Sequence, residues 1–308
     1  MSTGSMDTGS MGTDTADPDG WDRGRLLRTL LVVALAGVAL LGGLGYAVYS
    51  AVTSAGHDKT HTPNSVSAVA AGRAAARLAP GQVRRDAVAA APMLAVPPEA
   101  SRSGTPAGSP GPAITIPAAG RLGPARVPTG FPQTPEGAVG QLAVLETTVL
   151  QGMSIEAART VYAAWSVPDA PPVQTWELIA NIQAFLASGA GLYADEVTTA
   201  VVATPVAGQV KGVDGPDWVV ACVLLDVKAR AAAQARIAYG HCERMQWRPT
   251  EITNTTDSTD SPGSTASTGQ GRWVIAAGPA PARAPSTWPG TDLAARAGWR
   301  TWAPTGGE

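Results

Sequence analysis

The sequence predicts a membrane-anchored α+β protein, and three observations lead to that prediction. Residues Leu30–Val52 form a run of 23 residues without a single charge. After a stretch rich in Pro and Gly come three segments whose apolar residues recur at helical spacing. Segments rich in β-branched residues then follow. A run of helices followed by a run of strands is typical of α+β folds.

The uncharged run is long enough to cross a bilayer, because a helix of about 20 apolar residues spans a hydrocarbon core of about 30 Å. The apolar core of a signal peptide is shorter, and a buried soluble helix would show a polar face, which this run lacks. We therefore predict a retained single-pass anchor with the lipid bilayer as a partner.

Charges beside the run predict its orientation. Arg23, Arg25 and Arg28 crowd the N-terminal flank, whereas only Lys59 lies near the other end. The positive-inside rule then places the N-terminus in the cytoplasm and the rest of the chain outside the membrane. Residues 1–29, rich in Ser, Thr, Gly and Asp, are predicted to form a disordered cytoplasmic tail.

Small residues recur every four positions within the run. Ala39, Gly43 and Ala47 would share one helix face. Such a face lets two membrane helices approach closely, which would make the protein a homo-oligomer. Chance spacing in a chain rich in Ala and Gly is the other interpretation, and the sequence leaves both open.

Composition divides the chain beyond the anchor. Residues 53–126 are rich in Ala, Pro and Gly and are predicted to form a flexible linker. A folded domain is predicted at 127–302. Inside it, the Ser/Thr/Asp/Gly tract at about 250–271 is predicted to be a disordered, exposed loop.

Helix-start signals place three helices at the beginning of the domain. Thr134-Pro135-Glu136 combines an N-cap, a proline at the first helical position and an acid in the first turn. Ser154 begins a second helix, and a third is predicted from about Val173 to Ala187. The strands that follow are predicted at Val197–Val213, Trp218–Val227, Arg236–Trp247 and Trp273–Ala276, before a short helix at Asp292–Ala297.

Three phrases carry a resemblance to a known class of proteins. They are Gly130–Val139 (GFPQTPEGAV), Ala238–Trp247 (AYGHCERMQW) and Ser286–Asp292 (STWPGTD). With the layout of the chain, they resemble actinobacterial single-pass membrane proteins of integrative and conjugative elements. That resemblance implies a nuclear transport factor two-like domain, in which a curved antiparallel sheet wraps over helices.

The layout is also similar to the bitopic assembly subunits of type IV secretion and conjugation systems. The resemblance implies a non-enzymatic scaffold whose outer domain contacts other subunits of an envelope-spanning complex. It carries over no functional residue. The same fold also serves small-ligand-binding proteins with a cone-shaped cavity and, less expected here, enzymes such as isomerases and cyclases.

Either alternative needs a carboxylate or a histidine inside the cone, tuned by burial. The candidates are Asp226, His241 and Glu243. Asp226 is interpreted as a solvent-facing strand terminus. His241 and Cys242 are adjacent on a strand and therefore point to opposite faces, so they cannot easily share a metal ion. We expect no catalytic residue, no metal and no cofactor.

Charge gives no reason to expect direct contact with nucleic acid. The net charge is −2, so the chain has no overall attraction for a phosphate backbone. Lys228, Arg230, Arg236 and Arg244 surround one predicted hairpin, but no aromatic residues are interleaved with them. We interpret these four cations as a solvated hairpin tip.

The two cysteines, Cys222 and Cys242, lie on consecutive predicted strands. A turn centred near Ala232 would place them directly opposite each other, where Cβ atoms approach to about 4.5–5.5 Å. The predicted compartment permits oxidation. The Ala-rich turn does not fix the register, however, and a slip of one residue would separate the side chains. A disulfide is slightly favoured over two buried free thiols.

Overall fold

The computed structural model describes residues 65–187, 200–230, 234–249 and 271–305. The α-helices in these ranges are α1 (Ser65–Ala76), α2 (Gln82–Ala90), α3 (Pro135–Gly152), α4 (Ile155–Trp165), α5 (Glu177–Ala187) and α6 (Asp292–Arg296). The strands are β1 (Ala113–Ile116), β2 (Arg121–Leu122), β3 (Pro128–Thr129), β4 (Ala200–Val213), β5 (Trp218–Arg230), β6 (Gln234–Pro249), β7 (Gly271–Ile275) and β8 (Arg300–Pro304).

One mostly antiparallel sheet organises the described residues, in the order β1-β8-β4-β5-β6-β7. Strands β4 to β7 pair antiparallel along the chain, and β8 joins β4 antiparallel. The exception is β1, which pairs parallel with β8. The predicted α+β class with helices and a mostly antiparallel sheet is therefore confirmed.

The sheet is covered on both faces. Side chains alternate along a strand, so odd-numbered residues of β5 and β6 face α3, α4 and α5. Even-numbered residues face a second layer, formed by α2 and the chain from Ala276 to Trp299. We call these the helix face and the second face. Because the sheet is covered on both faces along this stretch, Trp218–Val227 is buried at every position.

Capping residues begin two helices as the sequence predicts. The Thr134 hydroxyl accepts a hydrogen bond from the Gly137 amide at 3.0 Å, and Ser154 accepts one from Ala157 at 3.2 Å. These caps satisfy amides that have no partner within the helix. The third predicted helix begins later than expected, because Trp176 adopts an extended conformation after a short 3-10 turn.

Much of the predicted linker belongs to the folded domain. Ile114 and Ile116 on β1 are buried in the core of the helix face, and Val88 and Ala89 on α2 are buried in the second face. A strand of four residues is too short to show periodicity, and its partner β8 lies far away along the chain. The domain therefore begins well before residue 127.

Several predictions fall on residues outside the described ranges. They concern the span Leu30–Val52 with its flanking arginines and its Ala39, Gly43 and Ala47 face, and most of the 250–271 tract. Among the residues that the structure describes, no helix has the length and apolar character needed to cross a membrane.

Cys222 and Cys242 occupy directly opposite positions on β5 and β6. The predicted register is therefore confirmed, although residues 231–233 of the turn lie outside the described part of the chain. The structure joins the two cysteines in a disulfide, with Cα atoms 4.0 Å apart. Their side chains belong to the second face, so the bond ties the two central strands together on that face.

Candidate functional site

A group of polar and ionisable side chains lies on the helix face, between β6 and the helices. We call it the inner cluster, and it consists of Glu146 on α3, Trp176, Glu177 and Asn181 at and after the start of α5, and Tyr239, His241 and Glu243 on β6.

Local periodicity brings these residues together. Tyr239, His241 and Glu243 are alternate residues of β6 and therefore point to the same face of the sheet. Glu146 follows Leu142 by four residues and precedes Val149 by three. Residues at those spacings share one face of a helix, so Glu146 lies within the buried apolar stripe of α3.

The innermost contact joins Glu146 to His241. The Nδ1 atom of His241 lies 2.9 Å from Oε1 of Glu146, and the two residues are 4 % and 0 % exposed. The other carboxylate oxygen of Glu146 is buried and has no hydrogen-bond partner among the described residues. A buried oxygen without a donor costs free energy, so this position is not optimised for stability alone.

Glu243 forms the second acidic contact of the cluster. Its Oε2 accepts a hydrogen bond from the Trp176 indole at 3.1 Å, and its Oε1 accepts one from the Arg244 amide at 3.2 Å. Nε2 of His241 lies 3.9 Å from Glu243 Oε2, within ion-pair range but beyond a hydrogen bond. Glu243 therefore links β6 to the residue that precedes α5.

The cluster reaches toward the surface through Tyr239. The Tyr239 hydroxyl donates to Glu177 Oε1 at 3.2 Å and accepts from Asn181 Nδ2 at 2.9 Å. These three residues are half-buried. The Tyr239 ring stacks beside the His241 ring, with centroids 6.0 Å apart. The inner cluster thus extends from the half-buried Glu177 to the fully buried Glu146, with a ring contact between Tyr239 and His241.

Burial shifts the pKa values of the cluster. It raises the pKa of Glu146 to about 7, although the hydrogen bond from His241 acts in the opposite direction. It also raises the pKa of Glu243, against the opposing charge of His241. Burial would lower the pKa of His241, but the hydrogen bond to Glu146 and the nearby acidic charges raise it to about 9. The protons of these three groups are therefore coupled.

This geometry is suited to holding and exchanging protons near neutral pH. A carboxylate bound to Nδ1 fixes the orientation of an imidazole and leaves Nε2 to face a reacting group or a ligand. Three carboxylates surround the one imidazole, so the cluster favours a proton or another positively charged group. Within the described ranges, no group of three or more His, Cys, Asp or Glu residues is arranged to hold a metal ion.

The structure brings two of the three sequence candidates together and separates the third. His241 and Glu243 lie in the inner cluster, whereas Asp226 lies on the second face. The interpretation of Asp226 as solvent-facing is wrong, because it is 6 % exposed. Arg236 is its diagonal neighbour on β6, and the Arg236 Nε atom lies 2.7 Å from Oδ1 of Asp226. The Nζ atom of Lys228 lies 3.4 Å from Oδ2 of the same carboxylate.

The four cations of the predicted hairpin tip also lie in two different environments. Lys228, Arg230 and Arg236 are on or near the tip, but Arg244 is buried in the second face. Its guanidinium binds Asp86 at 2.7 Å and the Pro279 carbonyl at 2.7 Å. The sequence could not show this, because Asp86 is 158 residues away in a stretch predicted to be linker.

A separate cleft of about 690 Å³ opens on the second face beside β4 and β8. Pro112, Pro205, Leu224, Trp299 and Trp302 are among its lining residues. The cleft contains no member of the inner cluster.

No protein-family model, no curated protein and no solved structure matches this chain. The inner cluster and the layout of the chain are therefore interpreted from their own chemistry.

Proposed function

We propose that this chain is a membrane-anchored, non-enzymatic assembly subunit. Its folded domain would lie outside the cytoplasm and contact other subunits of a conjugative DNA-transfer or type IV secretion-like machine. The observation that carries the proposal is the Cys222–Cys242 disulfide in a domain that follows 23 uncharged residues. Disulfides persist in oxidising compartments and are rare in the cytosol, which agrees with the orientation that the arginine flank favours.

The arrangement of the domain supports the same proposal. Helices α3, α4 and α5 precede β4, β5, β6 and β7, and they pack on one face of that antiparallel sheet. We propose that this part has a nuclear transport factor two-like fold, to which α2 and the chain from Ala276 to Trp299 add a second layer. Because both faces of the sheet are covered, partner subunits would contact the helices, the loops and the edges of the sheet.

The first test is the topology of the full chain in the membrane. A reporter that is active only outside the cytoplasm should be active when fused after residue 308 and inactive when inserted at residue 20. Replacing Arg23, Arg25 and Arg28 together by uncharged residues should weaken this orientation. An inactive fusion at residue 308 would overturn the extracytoplasmic assignment.

The second test concerns the partners of the domain. Affinity purification from mildly solubilised membranes, with a chemical crosslink applied first, should recover other subunits of an envelope complex. The matched control is the same chain without residues 65–305, which keeps the anchor and loses the domain. Equal recovery of the same proteins by the control would mean that the domain is not the contact.

The inner cluster favours a second candidate function, the binding of a small molecule that carries a positive charge. Glu146 Oε2 has no donor among the described residues, and the cluster is richer in carboxylates than in cations. Native mass spectrometry of the mildly purified chain should then show an adduct that the Glu146→Leu variant loses. An unmodified mass for the natural chain would count against this candidate.

A further inference from the structure

Large apolar side chains on the surface are concentrated near the N-terminal end of the described chain. Five such residues are exposed in the ranges that the structure describes, and three of them lie within fifteen residues: Val69, Leu78 and Val83. They are 54 %, 40 % and 74 % exposed. We call residues 69–83, which run from α1 into α2, the N-terminal corner.

The N-terminal corner also carries unpaired positive charge. Arg73 and Arg77 are exposed, and no acidic side chain in the described part of the chain forms an ion pair with either. The arginines that follow differ, because Arg84 and Arg85 lie 3.8 Å and 2.6 Å from Asp214. The free charge of the corner is therefore positive.

The corner lies close to the predicted anchor along the chain. Only 12 residues separate the end of the uncharged run at Val52 from the start of α1 at Ser65. Whatever their conformation, 12 residues span at most about 40 Å. Val69 and Arg73 are thus tethered near the lipid surface if Leu30–Val52 spans the membrane.

We propose that the N-terminal corner docks on the outer surface of the membrane. Val69, Leu78 and Val83 would enter the interface, and Arg73 and Arg77 would contact anionic headgroups. Apolar side chains combined with cations bind such surfaces, and each cation near an anionic surface contributes about fivefold to the equilibrium. This inference rests on the proposed anchor, because tethering supplies the effective concentration that a small surface needs.

The experiment uses the full chain, reconstituted in nanodiscs of neutral lipid or of neutral lipid with one-third anionic lipid. A Val83→Cys variant carries an environment-sensitive fluorophore, which is possible because the natural cysteines are bonded to each other. The matched control is a Leu122→Cys variant, labelled at another exposed apolar residue that lies outside the corner. Acrylamide, which is uncharged, reports the accessibility of each label.

We expect the two arginines together to favour docking about 25-fold in anionic discs relative to neutral ones, so the label at residue 83 should be blue-shifted and less quenched in the anionic discs. The label at residue 122 should behave alike in both. Adding Arg73→Gln and Arg77→Gln should restore quenching at residue 83. Circular dichroism should be unchanged, because both arginines are exposed and the structure shows no ion pair for them.

Two outcomes separate the docking from the anchor. A chain that does not co-elute with discs contradicts the anchor itself. A chain that enters the discs but is quenched equally at residue 83 in both lipids contradicts the docking alone. Protection that depends on having two chains per disc, rather than on lipid charge, would assign the corner to a second copy and also overturn the docking.

Discussion

The two faces of the sheet differ in how their buried charges are paired. On the second face, two buried charges are held in ion pairs: Arg244 binds Asp86, and Asp214 binds Arg85. The Arg244 guanidinium lowers the pKa of Asp86. On the helix face, burial raises the pKa of Glu146 and of Glu243, and among the described residues His241 is the one cation in contact with them.

The two faces of the sheet therefore have different roles. The paired charges of the second face attach α2 to the sheet and hold the N-terminal segment in place. The excess of carboxylates on the helix face leaves that region dependent on bound protons. Below about pH 8 we therefore expect pH to act mainly through the helix face, and the Arg244–Asp86 pair to contribute little to pH dependence above about pH 4.5. Above about pH 8, Lys211 on the second face also loses its proton, because burial lowers its pKa to about 8.

The largest expected effect comes from removing the cation of the helix face. His241→Ala leaves Glu146 buried without an opposite charge, which should lower the free energy of unfolding at pH 7 by about 3–5 kcal/mol. Urea unfolding measures the loss. The double variant Glu146→Leu with His241→Leu should recover much of it, because neither charge is then left alone. Equal losses in the single and double variants would show that shape, rather than charge, dominates this position.

Breaking the disulfide should have the next largest effect. Cys222 and Cys242 are 20 residues apart in sequence, and closing a loop of that size stabilises a protein by about 3 kcal/mol. Urea unfolding of the double Ser variant, compared with the natural chain with and without reductant, measures this. Thiol counting on the denatured, unreduced chain is the control, and two reactive thiols per chain would contradict the bond.

Stability should fall as pH rises through the range in which the inner cluster loses protons. Glu146 has its pKa raised from 4.5 to about 7, so the folded state holds more protons than the unfolded state between those values. His241, raised from 6.5 to about 9, continues the fall in the same direction. The slope reaches about 1.4 kcal/mol per pH unit for each proton concerned.

Two variants sharpen this comparison of the faces. Glu146→Gln should flatten the decline in stability between pH 4.5 and 9, because it removes one titrating group and the charge that raises the pKa of the other. Asp86→Asn, on the second face, should leave the slope above pH 4.5 as it is, since the pKa of Asp86 is lowered. If stability declines with pH as steeply in Glu146→Gln as in the natural chain, the pH dependence does not come from the inner cluster.

The smallest effect is expected at an ion pair near the hairpin tip. Arg236→Gln removes one partner of Asp226, but the Arg236 side chain is 45 % exposed and Lys228 remains beside the carboxylate. The free energy of unfolding should change by less than about 1 kcal/mol. A loss of several kcal/mol would mean that Asp226 depends on Arg236 as strongly as Glu146 depends on His241.

The sequence predicts the elements whose signals are local. Thr134 and Ser154 mark helix starts because a cap acts within one turn. The β5–β6 register agrees with a turn centred near residue 232, a position that the Ala-rich turn itself left open. Strand β1 gives no such local signal. Its partner β8 lies almost two hundred residues later, and the Pro and Gly around Ile114 dominate the composition.

Only part of the candidate site can be predicted from the sequence, because its contacts join residues that are far apart along the chain. His241 and Glu243 stand out by residue type on a predicted strand, but Glu146 resembles an ordinary surface glutamate in a helix. One signal could have found it, because Glu146 shares a helix face with Leu142 and Val149. A carboxylate inside an apolar stripe indicates a buried polar contact, even when its partner, 95 residues away, is unknown.

The parallel pairing of β1 with β8 has a mechanical consequence. The chain enters β1 at Ala113 and leaves β8 at Pro304, and the two strands run in the same direction over four paired positions. A force that pulls the chain before Ala113 away from the chain after Pro304 therefore slides the strands along each other. It loads all their hydrogen bonds together instead of opening them one by one. Tension applied across these two points would therefore be resisted by this pair of strands in shear.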